Sequence, residues 1–553
     1  MVFSRKYGVY LLVFLLPVIV YTPTLLGTFY YDDNTIFFGH QVRNLVENPF
    51  SVFAPATHYL PGVPRSLHVF ILLLVYKLFG ASPLPYHLLT LLLHGITSLL
   101  VYMFVRELTA ESQYPKRIAL TASLFFGLHP IHTENITFVT LGGTDLLMTL
   151  FAILSLLLYL NFRKSTAARR YVFLFFSLLA YLFSLLSKEA AIGFILVFPL
   201  TELMLKKKDF LWTIPYLLIP VVVKWDVISG IPGILGKSVG SGGGGQRDFL
   251  KLFDSLGYTL KALLLPYPQS VLIKEFGPRS VTFFFIALSL LTFFICVRFL
   301  RGRKLLVYAS VLLLAASLPY LFVPFAEGNI AVFAERYLYA PSVGFCLFVA
   351  IVLVNLLEYR KSLAIAALLL FAVCSFEGVR YFYSSWRTEE AFWDNAVNRN
   401  PDYVTGYVNL AFIEKTRGRT DKANELLAEG LSKPKGLPAE FALAAYNLGI
   451  NAMQSGQYSK AESYFMYSLQ RDNFQLSYVS LGFLYLDLGR AERAKWAFEN
   501  ALQFNTPSSR AMYGLAKSCM LLGDIQQARR YAEEVYYATT NPELKNLAAQ
   551  MLR

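Results

Sequence analysis

Residues 169–208 read RRYVFLFFSLLAYLFSLLSKEAAIGFILVFPLTELMLKKK. Two basic clusters, Arg169/Arg170 and Lys206–Lys208, bracket two apolar runs, and the polar break between the runs is Ser187-Lys188-Glu189. A helix needs about 20 apolar residues to cross about 30 Å of hydrocarbon. Short loops rich in Lys and Arg stay on the cytoplasmic side. The stretch therefore reads as a membrane hairpin with its basic ends inside and Lys188-Glu189 outside. That reading sets the register for everything on either side of it.

The whole chain supports it. Of 553 residues, 56% are hydrophobic and only 16% charged. Soluble proteins carry about 25% charged residues, so an ordinary cytosolic enzyme is excluded. The 47 Phe and 35 Tyr exclude a disordered chain. The net charge of +14 is not a nucleic-acid footprint, because residues 1–383 hold 31 Lys+Arg against 18 Asp+Glu, whereas residues 384–553 hold 19 against 18. The excess belongs to the apolar part. Spans are predicted at 7–26, 86–105, 118–139, 143–162, 171–187, 190–205, 210–228, 281–300, 305–323, 337–357 and 362–380, eleven in all. The first is long, bulky and without a small-residue cleavage site, so it reads as a retained helix rather than a signal peptide.

Leu67–Phe79 and Leu250–Leu265 are shorter and carry Lys77 or Lys251, Asp254 and Lys261. Counting either as a crossing would invert every later loop. Read instead as interfacial or re-entrant helices on the outer face, they leave 18 of the 31 basic residues in six inner loops. An odd number of crossings places the C-terminal region outside. The four cysteines, Cys296, Cys346, Cys374 and Cys519, show neither metal-ligand spacing nor a disulfide framework.

Residues 384–553 repeat themselves. Leu448-Gly449, Leu481-Gly482 and Leu515-Ala516 are followed in phase by Gly456, Gly489 and Gly523, then by Ala461, Ala494 and Ala528. Phe465 and Phe498 follow in two copies, and Asn409-Leu410-Ala411, Gly418 and Ala423 form an earlier one. This is the 34-residue tetratricopeptide pattern, in which small residues let paired helices approach and aromatics fill the gap between them. About four repeats, with a capping helix near Trp386–Asn400, predict an α-solenoid that binds protein or peptide. The fold class is all-α: a membrane domain over 1–383, then an extracytoplasmic repeat domain over 384–553.

Charged groups at the edge of an apolar bundle are expensive and mark function. The topology collects several on the outer face: Asp32-Asp33-Asn34 after the first span, Arg65, His129-Pro-Ile-His132-Thr-Glu134-Asn135, Asp145, Lys188-Glu189 and Glu335-Arg336-Tyr337. Each has a plainer reading. Two adjacent aspartates usually end a helix, and Lys188-Glu189 or Glu335-Arg336 would serve as interfacial anchors. His129 and His132 with Glu134 offer a weak zinc pattern without further ligands, and no metal is assigned. Asn135-Ile-Thr137 is a glycosylation sequon close to the membrane. Gly230–Ser238 has Ile231 where a phosphate-binding loop needs its first glycine, and Gly240–Gly245 reads as an outer loop.

Taken in order, the Asp pair, His-Pro-x-His-x-Glu, Asp-Leu-Leu opening a span, Ser-Lys-Glu and Glu-Arg-Tyr-Leu-Tyr-x-Pro-Ser, with repeats behind them, resemble the transmembrane and tetratricopeptide-repeat O-mannosyltransferases. More broadly the layout is similar to the GT-C glycosyltransferases. Asn34 stands where that family often has Arg, and Gly143-Thr144 where it often has Gly-Arg-Ala. The resemblance implies a polyprenyl-phosphate-linked sugar as donor, mannose for this family. It also implies transfer with inversion to a hydroxyl, a protein Ser or Thr, on the outer or lumenal face, with no obligatory metal. A divalent cation at the carboxylate pair stays open.

On that scheme Asp32 is the base and Asp33 positions the acceptor or the base. Lys188, Arg336 and Arg65 receive the phosphate. His129, His132, Glu134, Asp145, Glu189 and Glu335 orient the sugar or acceptor, or hold the loops. The reading requires Asp32, Lys188 and Arg336 to converge. Its rivals are a non-catalytic membrane scaffold that recruits partners through the repeats, and a transferase acting on a lipid or polysaccharide. A prokaryotic plasma membrane is expected, with the endoplasmic reticulum as alternative.

Overall fold

The computed structural model describes residues 2–29, 33, 45–53, 65–166, 168–207, 209–225, 250–265, 271, 273–325, 333–504 and 508–552. Asp32, Asn34, Gly230–Ser238 and Gly240–Gly245 lie outside the described residues. The chain forms two compact units, Met1–Phe392 and Trp393–Arg553.

The first unit is a helix bundle. Its helices are α1 (Val2–Tyr21), α2 (Ser66–Phe79), α3 (Pro83–Leu108), α4 (Pro115–Leu128), α5 (Val139–Lys164), α6 (Arg169–Ser187), α7 (Val197–Met204), α8 (Ile214–Val223), α9 (Leu250–Leu264), α10 (Arg279–Phe299), α11 (Arg303–Ser317), α12 (Tyr339–Tyr359) and α13 (Lys361–Trp386). Among the described residues, eight helical stretches are long and apolar enough to cross a membrane. α5 is the hub, with 78% of its apolar window buried against α3 and α6. α10 is at the other extreme, with 17% buried. Phe284, Leu291, Phe294 and Ile295 stand exposed along it. Such a continuous apolar surface belongs in hydrocarbon rather than in water.

Three of the eleven predicted spans are not among these eight long stretches. The 118–139 span stops at Leu128, because His129 precedes Pro130 and takes an extended backbone (ψ 120°). A 3₁₀ turn and one turn of helix, Thr133–Thr137, complete it. The 190–205 span opens as a 3₁₀ segment, Glu189–Leu196, before α7. There Gly193 lies so close to the next backbone that a Cβ would fall 2.2 Å from the Ala315 carbonyl oxygen. The 210–228 span is a 3₁₀ turn followed by α8, with Pro220 inside a helix of only 10 residues. Leu67–Phe79 and Leu250–Leu265 fall on helices α2 and α9, of 14 and 15 residues. Length and hydrophobic pattern located all of these segments. Tight packing and proline broke three of them.

The second unit is a series of helix pairs: α15 and α16 (Val404–Thr416, Thr420–Leu431), α17 and α18 (Pro438–Gln454, Tyr458–Arg471), α19 and α20 (Gln475–Asp487, Ala491–Ala501), and α21 and α22 (Ser509–Leu521, Ile525–Ala538). Helix α14 (Glu389–Arg399) precedes them and α23 (Pro542–Leu552) follows. The recurrent glycines have two separate jobs. Gly456 and Gly489 turn each pair at φ +71° and +70°, where a side chain would strain the backbone. Gly449 and Gly482 let the helices touch: a Cβ on either would lie 2.6 Å from the ring of Phe465 or Phe498. Both rings are fully buried.

Candidate functional site

One end of the membrane unit is built from irregular backbone. Contributing to it are the strap 129–138 between α4 and α5, the first turn of α5, the step from α6 into Lys188-Glu189, the 3₁₀ segment Leu318–Phe325, and the 3₁₀ turn Glu335–Leu338 that opens α12. Backbone of this kind is tolerated in a membrane protein only where protein or water covers it. Gly142 seats the strap, because a Cβ there would lie 2.7 Å from Asn135 Cα and 2.8 Å from the Glu134 carbonyl oxygen. Gly143 leaves room for the His68 ring, which a Cβ would meet at 2.5 Å.

Three cations end here, each held by its own carboxylate from a distant part of the chain. Lys188 Nζ lies 2.6 Å from Asp145 Oδ2, with both side chains buried. Arg65 grips Glu189 with two bonds, Nη2 to Oε1 at 2.9 Å and Nε to Oε2 at 3.3 Å. Arg336 pairs with the buried Glu134, whose other oxygen accepts from the Arg336 backbone N–H at 2.9 Å. Adjacent residues thus serve different partners: Lys188 turns to α5 and Glu189 to the start of α2.

Tyr337 joins two of the pairs. The Lys188 ammonium and the Arg336 guanidinium each lie 5.0 Å from the centre of its ring. Tyr320 stacks on Tyr337 with centroids 4.7 Å apart and donates its hydroxyl hydrogen bond to Asp145 Oδ1. Its ring also faces Lys188, at 5.1 Å. Both Asp145 oxygens are therefore occupied, and the ammonium is fixed by a carboxylate and two aromatic faces. Burial pushes the Lys188 ammonium down to about 8, against the pull of Asp145. Burial also opposes ionisation of Glu189, but Arg65 and Lys188 outweigh it and hold that carboxyl at about 2.

The other predicted residues are more scattered. Asp33 is fully buried and accepts at Oδ1 from the Thr140 backbone N–H (2.9 Å) and hydroxyl (2.6 Å), at the positive end of α5. His129 and His132 are buried with ring centroids 5.9 Å apart. They face different partners, His129 Nε2 the Leu263 carbonyl at 3.1 Å and His132 Nε2 the Ser342 hydroxyl at 3.0 Å. With Glu134 committed to Arg336, His-x-x-His-x-Glu does not form a metal cage, and no cluster of three metal-ligating side chains occurs among the described residues. Glu335 is 3% exposed, and its Oε1 has no hydrogen-bond partner among the described residues.

Sequence reading missed Tyr320, His68 and Thr140. Tyr320 lies in an apolar span with nothing to distinguish it. His68 hides in a short apolar helix, and burial drives its imidazole down to about 3, with Arg65 adding to the effect. Thr140 is recognisable only through the Asp33 that it holds.

A tetratricopeptide-repeat family model matches residues 485–551. A protein O-mannosyl-transferase of Caenorhabditis elegans is 24% identical over 434 residues, covering 74% of this chain and 60% of the relative. Protein O-mannosyl-transferase TMTC3 of Homo sapiens is 22% identical over 551 residues, covering 82% and 58%. The chain thus spans about 60% of the length of the curated relatives it matches along most of its sequence. Among solved structures, ArnT from Cupriavidus metallidurans bound to undecaprenyl phosphate aligns over 98% of this chain and 85% of its own, at 13% identity and a TM-score of 0.38. The motifs and the curated relatives agree. The chain is similar to the transmembrane and tetratricopeptide-repeat O-mannosyltransferases, and its described residues form a helical membrane bundle ahead of the repeats.

Proposed function

We propose that this relative of the O-mannosyltransferases moves a sugar, mannose in the first instance, from a polyprenyl-phosphate donor to a hydroxyl acceptor. The reaction takes place at the end of the bundle where Lys188, Arg65 and Arg336 are held. The observation that carries the reading is the pair of cations on Tyr337: Lys188 and Arg336, remote in sequence, reach one ring at 5.0 Å each. A leaving phosphate needs such charge in place before the bond breaks, in a poorly hydrated setting where it acts strongly. Three cations balanced by three carboxylates supply it without leaving a buried charge unpaired when the donor is absent.

In the proposed step the acceptor oxygen attacks the anomeric carbon from the face opposite the phosphate. The bond from that carbon to the phosphate oxygen breaks, its electron pair leaves with the phosphate, and the configuration inverts. A carboxylate takes the acceptor proton. Asp32 is assigned that role, since Asp33 is already engaged by Thr140. Glu335, buried with one oxygen open, suits a sugar hydroxyl. Asp145, Glu134 and Glu189 position the cations rather than touch the sugar. His129 and His132 hold the strap. No step calls for a metal, and a divalent cation at the Asp pair would be a separate requirement. The repeats suit a protein acceptor, so Ser or Thr hydroxyls come before a lipid or polysaccharide.

The test is transfer of radiolabelled mannose from polyprenyl-phosphate mannose to candidate protein acceptors by the purified chain, with the Asp32→Asn variant as control. Transfer that survives this variant undiminished sinks the base assignment. A chain that binds partners through its repeats but transfers nothing to any acceptor returns the scaffold reading.

A further inference from the structure

A cavity of about 950 Å³ lies in the membrane unit away from the three ion pairs, walled by α12 and α13 and closed by Phe125, His129 and Leu263–Leu265. Its lining is sorted along α13. Ala367, Leu370, Phe371 and Val373 come first, and Glu377, Arg380, Tyr381 and Ser384 follow. From Ala367 to Glu377 the helix rises about 15 Å, at about 1.5 Å per residue. That is half of the roughly 30 Å hydrocarbon core of a bilayer. The apolar part of the groove is therefore about one leaflet deep, and its polar part lies toward the outer end of the predicted 362–380 span.

Only 22% of the apolar stretch of α13 is buried, against 61% for that of α12, so protein covers little of α13 beside the groove. Water has little to bind along Val349, Leu353 and Leu370, since an internal water needs two to four polar partners. Hydrocarbon is the filling that fits. At the mouth, Arg380 is 74% exposed and bonded to Glu377 at 3.1 Å, itself 57% exposed. An exposed pair of this kind contributes only about 0–1 kcal/mol, so the guanidinium is available to a stronger anion.

We propose that this groove binds one diacyl glycerophospholipid, with its acyl chains along Leu370, Phe371 and Val349 and its phosphate on Arg380. The donor is not the occupant, because its phosphate is assigned to Lys188, Arg65 and Arg336. The lipid would press on the strap through His129, which lines the groove five residues before Glu134, the carboxylate that holds Arg336. A bound lipid is thus a prop for the strap as well as a filler.

The test uses the delipidated full-length chain in detergent, with native mass spectrometry and thermal unfolding as readouts. Phosphatidylglycerol, diacylglycerol and polyprenyl phosphate are added separately. One retained phosphatidylglycerol and a raised Tm are expected, with diacylglycerol held more weakly. Arg380→Gln should weaken retention about tenfold, the loss of about one charge-assisted hydrogen bond. Val373→Trp should fill the groove and abolish retention, while Leu369→Trp, on a residue outside the groove lining, should leave it unchanged. Equal retention of diacylglycerol, indifference to both Arg380→Gln and Val373→Trp, or displacement of the phospholipid by polyprenyl phosphate overturns the proposal. None of these readouts depends on sugar transfer, so failure here is distinct from failure of the transferase reading.

Discussion

Lys188 Nζ sits 2.6 Å from Asp145 Oδ2 across 43 residues of chain, with 3% and 0% of the two side chains exposed. A buried pair of this kind adds little net stability against an apolar alternative, but removing one member leaves the other charge stranded, at a cost of about 3–5 kcal/mol. The pair thus fixes an ammonium at that place more than it stabilises the fold. Asp145→Asn and Lys188→Ala should therefore both lower Tm and weaken donor use, and neither should change the repeat unit's partner affinity. Donor titrations, with partner binding measured in parallel, check both.

Tyr320 offers a finer probe of the same arrangement. Tyr320→Phe keeps the ring against Lys188 and Tyr337 but removes the bond to Asp145. A lost hydrogen bond to a charged group costs about 1.5–3 kcal/mol, so kcat/KM for the donor should fall about tenfold or more. If Tyr320→Phe lowers Tm alone and leaves the kinetics untouched, the residue is only a packing element.

The pH profile follows from the sign of the Lys188 shift. Burial lowers its pKa to about 8, so the ammonium is charged below that value and is lost as pH rises through it. Donor kcat/KM, which reports ionisation in the free enzyme, should hold on the neutral side and decline above about pH 8. Lys188→Arg should remove that limb, since guanidinium stays protonated. A profile flat to pH 10 in the unsubstituted protein contradicts the assignment.

The two aspartates should separate cleanly. Asp32→Asn should cost about 10²–10⁴ in turnover with little change in Tm, as expected for a general base. Asp33→Asn should instead destabilise by about 1–3 kcal/mol, because Thr140 and the start of α5 lose a charged acceptor. Thermal unfolding and single-turnover rates on the two variants discriminate between them.

In the repeats, Gly482→Ala places a methyl 2.6 Å from the Phe498 ring, in a core with no slack. Overpacking of this kind costs about 1–3 kcal/mol. The variant should show faster proteolysis within the second unit and unchanged cutting of the first.

Legibility varied with the kind of signal. The repeat glycines were readable because they recur in phase, and both of their jobs are backbone geometry. The interruption at His129-Pro130 is written in the sequence as a proline, but the apolar run on either side masks it. Gly193 carried no such mark, since its close approach to the Ala315 backbone is a tertiary contact. Arg163, one of the 18 basic residues of the inner loops, is paired at 2.8 Å with the fully buried Glu202, an acid concealed inside a predicted span. Charge placement predicts the side of a loop, but it cannot reveal a partner 39 residues away.

The sequence by itself determined that this is a polytopic helical membrane protein with tetratricopeptide repeats behind it. Those conclusions rest on length, hydropathy and periodicity, which are local properties of the chain. Only the tertiary structure decided which carboxylate holds which cation, that Lys188 and Arg336 share the ring of Tyr337, and that Asp33 is bound to Thr140. Pairings of that kind depend on which backbones approach closely enough, as Gly142 and Gly143 allow, and on the need to neutralise every charge taken out of water. Neither condition is visible until the helices are packed.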